Sequence, residues 1–122
     1  MKSTPRSRKM SEAVKEAIAA ILLEEVQDPR VALATVTSVD VSTDMNLADV
    51  YVVTHGDAEK HKELLAGLTS AKGRIRNSLG KRVIMRVVPD LRFRIDPSVD
   101  EGMRINNAIM HEAANRPPST GE

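Results

Sequence analysis

The chain has 122 residues, of which 41% are hydrophobic and 29% are charged, and it contains no cysteine. This length suffices for one hydrophobic core but not for two, so a single domain with short tails is expected. The lack of cysteine excludes disulfide bonds and thiolate metal sites, and no apolar run is long enough to span a bilayer. These features predict a soluble cytoplasmic protein.

The net charge of +1 conceals a strong segregation of charge along the chain. Residues 1–9 carry four basic side chains and no acidic one, and residues 72–94 carry eight basic side chains and one acidic one. Residues 10–69, in contrast, carry four basic and eleven acidic side chains. A concentrated cationic segment indicates a polyanion-binding surface. A solvated basic surface balanced by acidic helices is the alternative.

The first predicted element is an amphipathic helix, with Thr4 as its cap and Pro5 in its first turn, and Ser7 is the alternative cap. Apolar residues follow at helical spacing from Met10 to Val26. Asp28-Pro29 should end the helix, because a residue before proline is disfavoured in the α region. Residues 35–42 and 47–54 then alternate apolar and polar side chains, which predicts two strands of a β-hairpin.

The segment 57–80 is predicted to be helical, with Asp57 as its cap. An apolar stripe runs from Leu64 to Leu79, but Ser70-Ala71-Lys72-Gly73 interrupts it with poor helix formers. We therefore expect a kink between two helices at Ala71–Gly73, and Gly80 should close the second one. Strand patterns follow at 83–88 and 91–95, then a weaker helix to about residue 115 and a flexible tail at 116–122.

This order predicts one two-layer α+β domain over residues 1–115, in which helices cover a three-stranded sheet. The unit from the second strand to the third matches the β-α-α-β unit of a KH domain in its type II arrangement. A KH domain clamps a nucleic-acid backbone with a Gly-x-x-Gly loop between its two helices. That loop would require glycine at positions 70 and 73, where this chain has Ser70 and Gly73.

The segments EEVQDPR, VTSVDVSTDMNLADVYV and VPDLRFRID, together with the kink Ala71-Lys72-Gly73, resemble the bacterial ribosome-binding factor A family in this order. The resemblance covers nearly all of residues 5–110, and that family has an Ala-x-Gly kink in place of the KH loop. It implies a non-enzymatic assembly factor that binds the free small ribosomal subunit late in maturation, near the processed 5′ region of its ribosomal RNA. The family is also associated with growth in the cold.

The candidate RNA-binding residues are basic side chains that would neutralise phosphates, together with the kink, where Gly73 would allow close backbone approach. A tolerated helix break is the simpler interpretation of Gly73. The proposed set comprises Arg6, Arg8, Lys9, Ala71, Lys72, Gly73, Arg74, Arg76, Lys81, Arg82, Arg86, Arg92 and Arg94, which should share one surface if the third strand lies beside the helix.

Few other chemistries fit the sequence. Tyr51 and Phe93 are the only aromatic residues, which favours recognition of RNA shape and backbone over stacking on single bases. His55, His61 and His111 lack metal-ligand spacing, and no nucleophile motif or glycine-rich phosphate loop is present. We expect a monomer without cofactor or metal. A general KH-type module for other RNAs is the alternative, and a small hydrolase would need a catalytic constellation that the sequence lacks.

Overall fold

The computed structural model describes residues 4–98. Helix α1 spans Pro5–Glu24, and it begins as predicted. The Thr4 hydroxyl accepts a hydrogen bond from the Ser7 N–H at 3.0 Å, and the Ser7 hydroxyl accepts one from the Thr4 N–H at 2.8 Å. This reciprocal capping satisfies two N–H groups at the helix start. The predicted helix end was wrong, because α1 stops at Glu24 and Asp28 caps a short 3₁₀ turn, Pro29–Val31, instead.

The three strands form one mixed sheet in the order β1-β2-β3. Strands β1 (Thr35–Val41) and β2 (Leu47–Val53) pair in the antiparallel sense, which confirms the predicted hairpin. Strand β3 (Asp90–Ile95) lies parallel to β2 on its other side. The register of the hairpin shifts between Val36 and Ser38, and this bulge lets both Val36 and Val41 point into the core.

The helices cover one face of the sheet, with α1 packed on β1 and α2 (Ala58–Arg82) packed on β3. Ala48, Val50 and Val52 of the central strand are completely buried beneath them. Asp49 and Tyr51 alternate with these residues, so they lie on the face that the two helices leave uncovered. The predicted α+β fold with a three-stranded sheet is confirmed.

Helix α2 differs from the prediction because it runs through Ala71–Gly73 without an interruption in its assignment. The predicted pair of helices is therefore one element. Its apolar stripe is buried on both sides of Gly73, at Leu68 and at Ile75, and burial of such side chains outweighs the roughly 1 kcal/mol that an internal glycine costs. The prediction that Gly80 closes the helix was also wrong, since the helix continues to Arg82 with Val83 as its C-cap.

The predicted strand at 83–88 was wrong as well, because residues 83–89 form an irregular connection to β3. Ile84 is fully exposed and Val87 is 60% exposed, so these apolar side chains have no sheet to pack against. The carbonyls of Val88 and Pro89 accept hydrogen bonds from the Arg76 side chain. The helix predicted after Asp96 and the tail at 116–122 extend beyond the described residues.

Candidate nucleic-acid interface

The predicted RNA-binding cations all lie within residues 4–98, but the structure distributes them over separate surfaces. One group lies on the C-terminal half of α2, a second on the uncovered face of the sheet, and a third around the start of α1. The expectation of a single patch was therefore wrong, because β3 turns its arginines away from the helices. The α2 group consists of Lys72, Arg74, Arg76, Lys81 and Arg82.

Two of the α2 cations face the start of β3. The Lys72 ammonium lies 3.5 Å from an Asp90 carboxylate oxygen, and both side chains are partly exposed. The Arg76 guanidinium donates to the carbonyl of Pro89 at 3.1 Å and to that of Val88 at 2.9 Å. These carbonyls hold the Arg76 side chain in place without cancelling its charge. Arg76 therefore fixes the connection before β3 and adds positive potential to this flank.

Two other α2 cations face the end of α1. Arg74 donates to the Glu25 carbonyl oxygen at 3.3 Å. The Arg82 guanidinium lies 2.8 Å from a Glu24 carboxylate oxygen and 2.7 Å from one of Glu25. Since it forms ion pairs with two carboxylates, Arg82 mainly links the C-terminal end of α2 to that of α1. The Ser78 hydroxyl donates to Glu25 at 2.7 Å, and this hydrogen bond, followed by that from Arg82, holds the pKa of the Glu25 carboxyl below its ordinary value.

An exposed ridge of small uncharged residues runs along α2 between these two flanks. A Cβ atom at Gly73 would meet no atom within 4 Å, so the helix backbone at this point faces open space. Ala71 is half-buried and packs against the core beneath the ridge. A ridge without bulky side chains allows close backbone approach between Lys72 and Arg74. The exposed ridge residues are Thr69, Ser70, Gly73, Asn77 and Gly80.

Lys81 is exposed in the last turn of α2, beside Arg82. Cations in this position offset the partial negative charge at the C-terminus of a helix. Stabilisation of the helix end is therefore one reason for basic residues at positions 81 and 82, apart from any contact with RNA. Binding of a phosphate at this end of α2 would depend on the side chains, because the backbone here presents carbonyl groups, which repel an anion.

Arg92 and Arg94 lie on the face of the sheet that the helices leave uncovered. Arg92 binds Asp49 of β2 through two hydrogen bonds, at 2.6 and 3.2 Å, and Arg94 Nε lies 3.5 Å from the same carboxylate. The Arg92 hydrogen bond is the main cause of the lowered pKa of the Asp49 carboxyl. Sequence reasoning missed Asp49, since only the register of β2 against β3 reveals its pairing with Arg92. Because Arg94 lies farther from Asp49 than Arg92 does, the Arg94 charge is less neutralised by this carboxylate.

The remaining predicted cations belong to the first turns of α1 and to the 83–89 connection. Arg6 and Arg86 line a cleft of about 390 Å³, whereas Arg8 and Lys9 lie on the exposed side of α1. Sequence reasoning missed this cleft, which forms only when the start of α1, the β1–β2 turn and the 83–89 connection meet.

His61, the buried histidine of residues 4–98, has a structural role. His61 is 3% exposed, its Nε2 accepts a hydrogen bond from the Thr54 N–H at 3.3 Å, and its Nδ1 lies 3.0 Å from the Asp57 carbonyl oxygen. The neutral ring with a proton on Nδ1 satisfies both contacts. Across residues 4–98, the side chains of histidine, aspartate and glutamate form no group of three that could hold a metal ion. In the same part of the chain, neither helix has the length and apolar character that crossing a membrane requires.

Comparison with known proteins relates this fold and its basic helix to one family. The model of the family described as ribosome-binding factor A matches residues 6–109. Ribosome-binding factor A of Brevibacillus brevis is 42% identical over 104 residues, which cover 85% of this chain and 86% of that protein. The protein of the same name from Geotalea uraniireducens is 44% identical over 104 residues, covering 85% of each chain.

Solved structures agree with the sequence relatives. The crystal structure of ribosome-binding factor A from Thermus thermophilus matches with a TM-score of 0.65 and 31% identity, over 73% of this chain and 94% of that one. A homology model of the Thermus thermophilus protein, fitted into a cryo-EM map of its complex with the 30S subunit, matches with a TM-score of 0.55 and 31% identity over 77% of this chain and 94% of that one. The chain therefore belongs to the ribosome-binding factor A family.

Proposed function

We propose that this protein is a non-catalytic assembly factor that binds the free small ribosomal subunit and its ribosomal RNA. The observation that carries the proposal is the relationship to a Thermus thermophilus protein, 31% identical, that was fitted into a map of a complex with the 30S subunit. The protein would act as a cytoplasmic monomer late in subunit maturation, when the 5′ end of the small-subunit RNA is processed.

The ridge of α2 supports phosphate binding in this proposal. Gly73 allows the RNA backbone to approach the helix, and Lys72 and Arg74 flank it with opposite orientations. Arg76 and Arg82 position neighbouring elements, so they contribute more to the site's shape than to direct contacts. Further phosphate contacts would come from Arg8, Lys9, Lys81 and Arg94.

Co-sedimentation with purified small subunits tests the proposed partner. We expect the protein to travel with free small subunits at moderate salt, and an excess of random single-stranded RNA should displace little of it. If random RNA competes as well as the subunit, the alternative of a general KH-type RNA-binding module is favoured. Recovery of all the protein in the unbound fraction, while a control assembly factor binds, would contradict the proposal.

The proposed role in maturation requires a test in cells. Depletion of the protein should cause small-subunit RNA with an unprocessed 5′ end to accumulate, and the defect should be larger in the cold. Primer extension on RNA from depleted and complemented cells measures this end. Incubation of the purified protein with precursor RNA alone should leave the RNA unchanged, because the described residues include no catalytic constellation.

A further inference from the structure

The cleft of about 390 Å³ beside the start of α1 has an apolar wall built largely from methionine. Met10 comes from α1, Met45 from the β1–β2 turn and Met85 from the 83–89 connection, and Val41, Val87 and Pro89 complete the wall. The volume lies in the range of ligand-binding clefts and accommodates a few side chains. Methionine is flexible and polarisable, so such a wall adapts to aliphatic and aromatic side chains of different shapes.

Specific backbone contacts maintain the cleft. The Arg76 guanidinium holds the carbonyls of Val88 and Pro89, which fixes one wall against α2. On the other side, Met45 has a φ of 66°, in the left-handed region that side chains of its type rarely occupy. The Met45 N–H donates to the Ser42 carbonyl at 2.8 Å, so the turn keeps this conformation and directs Met45 to the cleft. Such backbone strain is concentrated at binding sites.

The polar lining of the cleft is predominantly cationic. Arg6 and Arg86 both line it, and neither side chain has a hydrogen bond or ion pair within residues 4–98. Asp44 also lines it, but its carboxylate already accepts hydrogen bonds from the Ser42 hydroxyl and the Asn46 N–H. These neutral donors leave the Asp44 charge in place, so the lining combines two guanidinium groups with one carboxylate and carries a net positive charge. An occupant that matches both features must combine apolar groups with negative charge.

We infer that this cleft binds an acidic amphipathic segment of a protein partner. Aliphatic side chains of the segment would pack on Met10, Met45 and Met85, and its carboxylates would pair with Arg6 and Arg86. A protein segment fits better than RNA, because the phosphates and riboses of an RNA backbone are too polar to pack on the methionine wall, and no aromatic side chain lines the cleft to stack on a base. The residues that line the cleft include none of the α2 ridge proposed for RNA.

Methionine methyl NMR on the full chain tests the inference, since three of the six methionines line the cleft. The probe is a synthetic helical peptide with leucines on one face and glutamates on the other. A second peptide with lysine in place of every glutamate is the matched control. We expect the acidic peptide to shift the methyl signals of Met10, Met45 and Met85, and to bind at least about tenfold more tightly than the lysine peptide.

Charge-reversal variants distinguish binding of the peptide in the cleft from general electrostatic attraction to the protein. Arg86→Glu, or Arg6→Glu if the first variant folds poorly by circular dichroism, should weaken binding of the acidic peptide by about tenfold or more. Lys62→Glu on the exposed side of α2 makes the same charge change away from the cleft, and it should leave binding nearly unchanged. Equal losses in both variants would overturn the inference.

Two other outcomes would also overturn it. In the first, a single-stranded oligonucleotide shifts the three methyl signals while the acidic peptide does not, which would make the cleft a nucleic-acid site. In the second, the chain's own residues 99–122 occupy the cleft. A nitroxide attached to Asn107→Cys would then broaden the three signals without added peptide, and the native chain has no cysteine that would compete for the label.

Discussion

Gly67 and Gly73 lie in the same helix but have opposite surroundings. A Cβ atom at Gly67 would lie 2.8 Å from Val31 Cγ2 and 3.2 Å from Arg30 Cβ, so the absence of a side chain lets α2 approach the 3₁₀ turn. A Cβ atom at Gly73 would meet nothing within 4 Å. Packing thus explains glycine at position 67 but not at position 73. We propose that Gly73 instead lets the RNA backbone approach the helix.

Gly73→Ala separates stability from function. We expect the free energy of unfolding to rise by about 0.5–1 kcal/mol, because alanine restricts the unfolded chain and suits a helix. Binding to small subunits should nevertheless weaken, since the added methyl group lies on the proposed contact surface. Urea unfolding and co-sedimentation measure the two effects. Gly67→Ala is the control that should lose stability, and unchanged binding of the Gly73 variant would make Gly73 a merely tolerated helix residue.

Ser11 is a buried hydroxyl that links α1 to the end of β1. It is 8% exposed, and its oxygen accepts a hydrogen bond from the Val41 N–H at 2.9 Å. Ser11→Ala leaves that N–H without a partner, so we expect a loss of about 1–3 kcal/mol in the free energy of unfolding. Ser70→Ala on the exposed side of α2 is the matched control and should be neutral or slightly stabilising in urea unfolding. Equal effects would mean that water replaces the lost hydroxyl.

The ends of α1 and α2 are joined by a small polar network. Glu25 accepts hydrogen bonds from the Ser78 hydroxyl and from Arg82, which also contacts Glu24. These contacts favour the charged form of Glu25 over the neutral form, and they lower its pKa from the ordinary value of 4.5. A group with a lowered folded-state pKa contributes its full stabilisation above the unfolded value and loses it as the pH falls through the folded value. This joint should therefore weaken in acid.

Glu25→Gln tests the joint between the helices. We expect lower stability than the native chain at about pH 7, and the difference should shrink as the pH falls below about 4.5 and approach zero below the folded pKa. Urea unfolding over this pH range provides the measurement. Glu12→Gln changes an exposed carboxylate of α1 that has no hydrogen bond or ion pair within residues 4–98, so it should follow the native pH profile. A constant difference at every pH would exclude the proposed charge dependence.

At the scale of the whole molecule, the sequence predicted the elements that the core enforces. Alternation identified the hairpin, because Ala48, Val50 and Val52 must all face the helices. The strand expected at 83–88 does not form, because its β-branched residues have no neighbouring strand to pair with. A local sequence pattern cannot show whether such a neighbour exists. The predicted division of α2 into two helices at Gly73 failed for a related reason: a local helix penalty of roughly 1 kcal/mol is small beside the burial of residues on both sides.

The composition of the candidate site was predictable, but the availability of its charges was not. Arg82 and Arg92 looked equivalent to Arg74 in the sequence, yet both form close ion pairs with carboxylates from distant segments. Lys72 has a longer contact of this kind, 3.5 Å to Asp90. Those pairings depend on how α1 meets α2 and on the register of β2 against β3, which are tertiary properties. The sequence therefore did not reveal which of the predicted cations are already paired with carboxylates of the chain. It also placed them on one surface, whereas the β3 arginines lie on the opposite side of the sheet from α2.

The salt dependence of subunit binding tests which cations contact phosphates. Each phosphate contact releases about 0.7–0.9 of a counterion, so lost contacts flatten the dependence of the binding constant on salt. Replacing Lys72, Arg74 and Lys81 by glutamine should weaken binding and reduce the slope of log K against log salt by about 2–3. These positions avoid Arg76 and Arg82, whose replacement would disturb the fold.

A control triple variant keeps the net charge equal. Lys15, Lys60 and Lys62 lie on α1 and on the first turns of α2, and Lys60 is roughly 18 Å along the helix from Lys72. Replacing these three by glutamine should change the slope little, because they lie away from the ridge. Equal slopes for both triples would mean that the whole cation field attracts RNA without defined contacts. A flatter slope in the control alone would mean that RNA binds α1 or the N-terminal half of α2 instead of the ridge.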